Sequence, residues 1–217
     1  MSEFAVAREN MIESQVRPNG ITDRRITLAM SRLPREEFVP ASCRAVAYMD
    51  EDIPLGAAGR YLVEPMALAR LVQLAEVKPG DKVLCVGAAT GYGAAVLAEL
   101  ASQVVALEQE PQLAEVARKN LQGHSTVKVI EGQLAAGCPS EAPFDVIVIE
   151  GRVQDVPEGF LQQLAPGGRL VAIVGETDMA RSRVYTSTVK GLAVRDAFDA
   201  SVAALPGFEK KRPAFVF

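Results

Sequence analysis

The pattern of apolar and polar positions changes near residue 77. Before that point, apolar residues recur at helical spacing in three segments, which predict helices over residues 4–16, 22–33 and 65–75. Breaks rich in Pro and Gly separate these segments. No convincing strand pattern occurs in this part of the sequence. The pattern therefore predicts an N-terminal helical segment over residues 1–76.

From residue 78 onward, unbroken runs of Val, Ile and Leu alternate with helical patterns. Five runs predict buried strands, at 82–87, 103–108, 126–130, 144–149 and 169–174, and two later runs, at 183–189 and 195–205, complete the sheet. The intervening helices are expected at 92–101, 111–121 and 160–164, the last closed by the Pro-Gly-Gly sequence at 166–168. This alternation is typical of an α/β fold with a doubly wound, mostly parallel sheet, which we expect to form a Rossmann-like domain over residues 77–217.

Composition and charge narrow the classes of function. With 49% apolar residues, 23% charged residues and a net charge of −4, the chain has the composition of a globular protein and lacks the basic surface that nucleic acid or an anionic membrane would require. Its three cysteines are far apart and His124 is its only histidine, so we expect no disulfide framework, no histidine-based metal site and no Ser-His-Asp triad. No leader or membrane-spanning pattern is visible, and a cytoplasmic location is expected.

The turn after the first strand of the sheet is the first candidate for chemistry. Residues 86–93 read V-G-A-A-T-G-Y-G, and small residues here allow a ligand to approach the backbone at a helix N-terminus. Glu108 ends the next strand, 21 residues after Gly87, where a carboxylate can accept hydrogen bonds from both hydroxyls of a ribose. The two features together predict an adenosine-containing ligand and leave open whether it is a dinucleotide or S-adenosylmethionine; the alternative is a ligand-free turn beside a solvated carboxylate.

A co-linear series of longer motifs resembles the protein-L-isoaspartate O-methyltransferase family. The series covers most of residues 20–175 and comprises SRLPREEFVP (31–40), AYMDEDIPLG (47–56), EPMALARLVQLAEVKPGDKVLCVG (64–87), GYGAAVLAEL (91–100), EAPFDVIVIEG (141–151) and FLQQLAPGGRLVAIVG (160–175). The resemblance implies the fold of S-adenosylmethionine-dependent methyltransferases, with the cofactor over the first two strands and S-adenosylhomocysteine as product. It implies methylation of a carboxylate of isoaspartyl residues in damaged proteins.

The resemblance also assigns candidate residues to the two sides of the site. The cofactor-binding candidates are Gly87, Ala88, Ala89, Gly91, Glu108, Gln109, Gln133 and Leu134. The substrate-facing candidates are Arg60, Tyr61, Val63 and Glu64. No catalytic residue is assigned, because a carboxylate is already a competent nucleophile and positioning supplies most of the catalysis.

Several of these positions depart from the family pattern. Tyr61 and Val63 stand where the family has a Thr and a Ser that line the substrate site, Ala89 replaces the central glycine of the turn, and Gln133 replaces an Asp that accepts from the adenine amino group. A hydroxyl bonded to a carboxylate is worth about 1.5–3 kcal/mol, so Val63 predicts a loss of roughly ten- to hundredfold in rate. Arg60 can compensate by binding a carboxylate with its planar fork, or it is a plain surface arginine.

Alternatives to isoaspartyl methylation remain open at this point. The same cofactor can serve another carboxylate or small molecule in a more apolar pocket, or the fold can persist as a binding protein without turnover. A nicotinamide dehydrogenase fits least, because the glycine spacing differs from its fingerprint. The acidic run at 50–52 is expected to be a solvated loop. For the N-terminal helices, a lid and a homodimer contact both remain open. Phe208, Phe215 and Phe217 are expected to mark either a docking surface or a tail packed on the core.

Overall fold

The computed structural model of the chain describes residues 2–57 and 59–209. Its helices are α1 (Glu3–Met11), α2 (Arg24–Arg32), α3 (Pro65–Ala75), α4 (Tyr92–Ala98), α5 (Pro111–Asn120) and α6 (Glu158–Leu161). Its strands are β1 (Ile53–Pro54), β2 (Tyr61–Leu62), β3 (Lys82–Val86), β4 (Gln103–Glu108), β5 (Val127–Glu131), β6 (Phe144–Val153), β7 (Leu164–Val174), β8 (Ala180–Thr188) and β9 (Gly191–Ala200).

Seven strands form the central sheet in the order β5-β4-β3-β6-β7-β8-β9. Strands β3 to β7 pair in parallel, and β8 and β9 add an antiparallel edge. The predicted α/β fold with a mostly parallel sheet is therefore confirmed. Chain order reverses between β3 and β6, the position at which open α/β sheets form their ligand crevice.

The strand register brings two cofactor-binding candidates and a further acidic residue to one edge of the sheet. Val86 pairs with Leu107 of β4 and with Ile149 of β6. The next residues, Gly87, Glu108 and Glu150, consequently lie abreast, where β3 and β4 end and where the pairing of β6 with β3 ends.

The N-terminal segment is mostly helical, as predicted, and local sequence explains where its helices begin. Ser2 caps α1 by accepting from the Ala5 amide, and Asp23 caps α2 by accepting from the Arg25 amide. The helix α1 continues through a π-helical turn over Ile12–Val16. Buried side chains of this segment join the core on one face of the sheet, so the structure gives no separate test of the predicted division at residue 76.

Two expectations about local structure differ from the structure. The N-terminal segment contains a short antiparallel hairpin, in which Ile53 pairs with Leu62 and Pro54 with Tyr61. Strands of two residues carry too little alternation to be visible in a pattern. The Pro-Gly-Gly sequence at 166–168 lies inside β7, at a register shift against β6, instead of closing α6.

A glycine in α4 provides a test of the packing against β6. A Cβ atom at Gly93 would lie 1.8 Å from Oε1 of Glu150, a buried side chain that has little room to move. We expect Gly93→Ala to lower the free energy of unfolding by about 1–3 kcal/mol, through overpacking.

The matched control is Gly159→Ala in α6, where a new Cβ meets nothing within 4 Å. This control should leave the stability unchanged or raise it slightly, because alanine favours helix. Equal denaturant midpoints for the two variants would contradict the close packing of Glu150 on α4.

Candidate functional site

The turn after β3 is held by its own backbone. The amides of Gly87 and Ala88 both donate to the Leu107 carbonyl, at 2.9 and 3.0 Å, and the Gly91 amide donates to the Ala88 carbonyl at 2.8 Å. Gly87 and Gly91 have φ values of 79° and 101°, in the region that favours glycine. The sequence expectation of a tight strand-to-helix turn at this point is confirmed.

Ala89 occupies a left-handed conformation inside this turn, with φ of 52°. A side chain there costs about 1–2 kcal/mol relative to glycine. The Ala89 amide points toward β4 and donates to Oε2 of Glu108 at 2.7 Å. The replacement of the family's glycine is thus tolerated, and the amide of this residue serves the carboxylate.

The carboxylate of Glu108 is fully buried and receives five donors. Besides the Ala89 amide, the amides of Gln109 and Glu110 donate to Oε1 at 2.9 and 3.1 Å. The guanidinium of Arg60 supplies the other two, with Nη2 2.6 Å from Oε2 and Nε 3.3 Å from Oε1. A carboxylate offers about four lone-pair sites, so its acceptor capacity is used up. The alternative of a solvated carboxylate is wrong for this position, since the exposed fraction of Glu108 is 0%.

Arg60 reaches Glu108 from the β1–β2 hairpin. Its amide donates to the Ala57 carbonyl and its carbonyl accepts from the Leu55 amide, which fixes the residue at the end of the turn. The side chain is 2% exposed and runs inward, so the expectation of a plain surface arginine is wrong. The structure places Arg60, a substrate-facing candidate, in contact with Glu108, a cofactor-binding candidate.

In this arrangement Glu108 has no acceptor left for the ribose of the cofactor that the family uses. The ribose hydroxyls of an adenosine would each need an acceptor on Glu108, and the five donors leave none. The space beside the glycine turn is also filled, because a Cβ at Gly87 would lie 3.0 Å from the Leu205 side chain. Arg60 and Leu205 both have to move away before Glu108 can accept hydrogen bonds from a ribose.

A segment near the C-terminus supplies that leucine. We call residues 202–208 the closing segment. It pairs with Arg152, whose amide donates to the Ala203 carbonyl at 2.9 Å and whose carbonyl accepts from the Leu205 amide at 2.8 Å. Phe208 stacks on Phe160 with ring centroids 6.1 Å apart, which confirms the packed-tail alternative for this phenylalanine. Phe215 and Phe217 lie outside the described residues.

A second buried carboxyl, Glu150, lies on β6 at the same edge, with strand β3 between it and Glu108 of β4. The Cys85 thiol donates to its Oε1 at 3.0 Å, and Gly93 of α4 covers it. Burial raises the pKa of Glu150 to about 7, and the same burial together with the nearby carboxylate raises the pKa of the Cys85 thiol. Glu150 is not among the site residues predicted from the sequence, although its position directly after the strand run at 144–149, like that of Glu108 at the end of its own run, was the available signal.

The remaining cofactor candidates lie around this edge. Leu134 is fully buried, whereas Gln133 is exposed at the start of a 3-10 turn. Gln109 is half-buried, and its Oε1 lies 3.8 Å from the position of a Cβ on Gly207 of the closing segment. None of these placements tests the assignment of these side chains to a cofactor, which stays a prediction.

The substrate-side candidates lie on and after β2. Tyr61 is partly exposed, Val63 is buried, and the Val63 carbonyl accepts from Nη2 of the buried Arg35 at 2.8 Å. Glu64 immediately precedes α3, and burial, with the charges of Asp50 and Asp52, raises its pKa to about 7. Their contact with a substrate stays a prediction.

The acidic run at 50–52 has a structural role that the expectation of a solvated loop did not foresee. Asp50 accepts from the Met66 amide at 3.1 Å and Asp52 accepts from the Glu64 amide at 2.9 Å, at the start of α3. The second oxygen of Asp52 accepts from the Ala203 amide at 2.5 Å. Asp52 thereby joins the N-terminal segment to the closing segment.

Comparison with known proteins decides the family. The family model described as protein-L-isoaspartate(D-aspartate) O-methyltransferase matches residues 7–199. The chain belongs to this family. A protein-L-isoaspartate O-methyltransferase of Koribacter versatilis is 41% identical over 181 residues, covering 82% of this chain and 81% of the relative. One from Aeropyrum pernix is 38% identical over 209 residues, covering 94% and 80%.

The fold is also similar to solved structures described as isoaspartyl methyltransferases. A protein-L-isoaspartate O-methyltransferase superposes with a TM-score of 0.79 at 26% identity, covering 92% of this chain and 66% of its own. A Plasmodium falciparum protein described as the same enzyme, in complex with S-adenosyl-L-homocysteine, gives a TM-score of 0.77 at 20% identity, covering 94% and 99%. The second likeness shows the shared fold alone. The family resemblance seen in the sequence is confirmed.

Two further features concern ligands and membranes. Within residues 2–57 and 59–209, no group of three His, Cys, Asp or Glu side chains is arranged to hold a metal ion. In the same part of the chain, no helix has the length and apolar character needed to cross a membrane.

The buried ion pair makes a testable contribution to stability. Arg60→Ala would leave Glu108 charged and buried without its counter-charge, and we expect the free energy of unfolding to fall by about 3–5 kcal/mol. The control is Arg183→Ala, which removes an exposed pair with Asp196 at 2.7 Å and should cost about 0–1 kcal/mol. Urea unfolding of both variants gives the comparison, and a similar small loss in each would rule out a strong buried pair.

Glu150 should make stability depend on pH. Its folded pKa of about 7 lies above the ordinary value of 4.5, so between these values the unfolded chain releases a proton that the folded chain keeps. The free energy of unfolding should therefore fall as pH rises through this window, by at most about 3 kcal/mol from this group.

The variant Glu150→Gln retains an acceptor for Cys85 and removes the titration. Thermal unfolding from pH 4.5 to 7.5 should show a flatter profile for this variant than for the wild type. Parallel profiles would mean that Glu150 ionises at an ordinary pKa. Glu64 also has a raised pKa and contributes a pH dependence of the same sign, so the contribution of Glu150 is the difference between the profiles of the variant and the wild type.

Proposed function

We propose that this chain is an S-adenosylmethionine-dependent O-methyltransferase that acts on the carboxylate of isoaspartyl residues in damaged proteins. The observation that carries the proposal is the family match over residues 7–199, which spans both the predicted substrate side and the glycine–acid edge of the sheet. Relatives named for this activity match the chain over most of their own length.

The chemistry of the reaction is compatible with a site that lacks a dedicated base. The isoaspartyl carboxylate is ionised near neutral pH and attacks without losing a proton, so the protein has to hold and orient it. When bound, the family's cofactor supplies the methyl group and leaves as S-adenosylhomocysteine. The residues proposed to face the substrate are Tyr61, Val63 and Glu64.

A second candidate keeps the methyltransferase reaction and changes the acceptor. Tyr61 and Val63 give this side an aromatic ring and an aliphatic side chain where the family has two hydroxyls. Such a surface favours a less polar carboxylate or a small molecule over an isoaspartyl peptide, because fewer donors meet the carboxylate.

We also propose a cellular location and an assembly state for the chain. A cytoplasmic location is supported by free thiols at Cys43, Cys85 and Cys138, which suit a reducing compartment. A homodimer formed through the N-terminal helices stays a prediction, which sedimentation of the purified chain tests.

Isoaspartyl methylation is tested directly by methyl transfer. The full chain is incubated with methyl-labelled S-adenosylmethionine and an isoaspartyl peptide, and the control peptide carries an ordinary aspartate at the same position. We expect labelled methyl ester on the isoaspartyl peptide alone, and about tenfold more in Val63→Ser, which restores a hydroxyl.

The control variant is Val194→Ser, at an exposed position on β9. Thermal unfolding of each variant separates a change in rate from a change in folding. Equal labelling of both peptides, or no labelling with either peptide in the wild type and in Val63→Ser, would remove isoaspartyl repair as the function and leave the second candidate.

A further inference from the structure

The cofactor edge of the sheet is covered by the chain's own residues. Arg60 binds the carboxylate at the end of β4, and Leu205 lies over the glycines that end β3 and interrupt β6. A Cβ at Gly151 would lie 2.6 Å from the Leu205 side chain. The Leu205 side chain therefore occupies the space that the absence of side chains at these glycines leaves open.

Arg60 satisfies Glu108 in the manner of a ligand. Its planar fork meets both carboxylate oxygens, where two ribose hydroxyls would otherwise donate. When Arg60 leaves, three backbone amides, those of Ala89, Gln109 and Glu110, still hold the charged carboxylate. Exchange of the guanidinium for a pair of hydroxyls therefore leaves Glu108 paired.

The groups that cover the edge lie outside the continuous ladder of the central sheet. The hairpin that carries Arg60 has two residues in each strand. The closing segment has one bridge to β6, at Arg152 and Ala204, and is otherwise held by single hydrogen bonds to Asp52 and to the Arg152 side chain and by the buried side chains of Val202, Leu205 and Phe208. Short segments outside the ladder open at a lower free energy than the central strands.

We propose that Arg60 and the closing segment together form an internal occupant of the cofactor site, which S-adenosylmethionine must displace in order to bind. The inference rests on the proposed function, because it takes S-adenosylmethionine as the competing ligand. The chain alternates between a closed form, in which Arg60 and Leu205 cover Glu108 and Gly87, and an open form that exposes both residues. Any ligand or partner that draws the closing segment away raises the affinity for the cofactor.

Calorimetric titration with S-adenosylmethionine tests the competition. The variants are Leu205→Ala, which removes the side chain over Gly87, Arg60→Lys, which retains a positive charge and loses the fork, and the double variant. We expect the double variant to bind at least tenfold more tightly than the wild type, with each single variant between them. The controls Leu192→Ala and Arg183→Lys alter an exposed leucine and an exposed ion pair on the antiparallel edge and should bind like the wild type.

The outcomes separate this inference from the proposed function. Equal affinity of the wild type and the double variant overturns the internal occupant and leaves the methyltransferase function standing. Absence of binding to the wild type and to every variant that unfolds cooperatively overturns both. Thermal unfolding of each variant, with and without ligand, establishes that it is folded.

Amide hydrogen exchange of the wild type tests the displacement itself. With saturating S-adenosylmethionine, the amides of Ala203 and Leu205, which are bonded to Asp52 and Arg152, should exchange faster than in the free protein. Unchanged or slower exchange of these two amides in a protein that binds the ligand would overturn the proposal.

Discussion

The buried ion pair between Arg60 and Glu108 organises the functional edge of this protein. A carboxylate that is 0% exposed needs partners, and here it draws three elements together: the glycine turn after β3, the end of β4 and the β1–β2 hairpin. Arg60 brings the hairpin down onto the sheet, and the Ala89 amide fixes the turn. Removal of either charge would leave the other one buried and uncompensated, which links the position of the hairpin to that of the turn.

The same edge contains a second buried carboxyl with a different hydrogen-bond partner. Glu150 lies abreast of Glu108 but is paired with a thiol instead of a guanidinium, and burial raises its pKa to about 7. Glu108 accepts from five donors, two of them on Arg60, whereas Glu150 accepts from the Cys85 thiol and holds its proton to a higher pH than an ordinary glutamate. Neighbouring acids at one edge are tolerated in this way because one of them can be neutral near physiological pH.

The closing segment lies outside residues 7–199, the part of the chain that the family model matches. Residues 202–208 follow β9, cross the carboxyl ends of the central strands and are tied to Asp52 of the N-terminal segment. Asp52 also supports the start of α3 through the Glu64 amide. The N-terminal segment, the sheet and the closing segment therefore meet around one small region, where a change in any of them reaches the candidate site.

Sequence patterns identified the architecture because each strand and helix carries its own signal. The run at 103–108 coincides with β4, and the helix predicted over 65–75 coincides with α3. The family likewise followed from a co-linear series of motifs. The two-residue hairpin and the extension of β6 to Val153 were not visible, because neither has enough residues of its own to show a period.

What only the tertiary structure decided is which side chains meet. The sequence singled out both Arg60 and Glu108, 48 positions apart, and assigned them to a substrate and a cofactor. Leu205 was part of a predicted strand, with no indication that it covers Gly87. Such pairings depend on strand order and on the path of loops across the sheet, which local periodicity does not encode. The chain sequence specifies the elements and the family through short-range patterns, whereas the contents of the site are set by long-range packing.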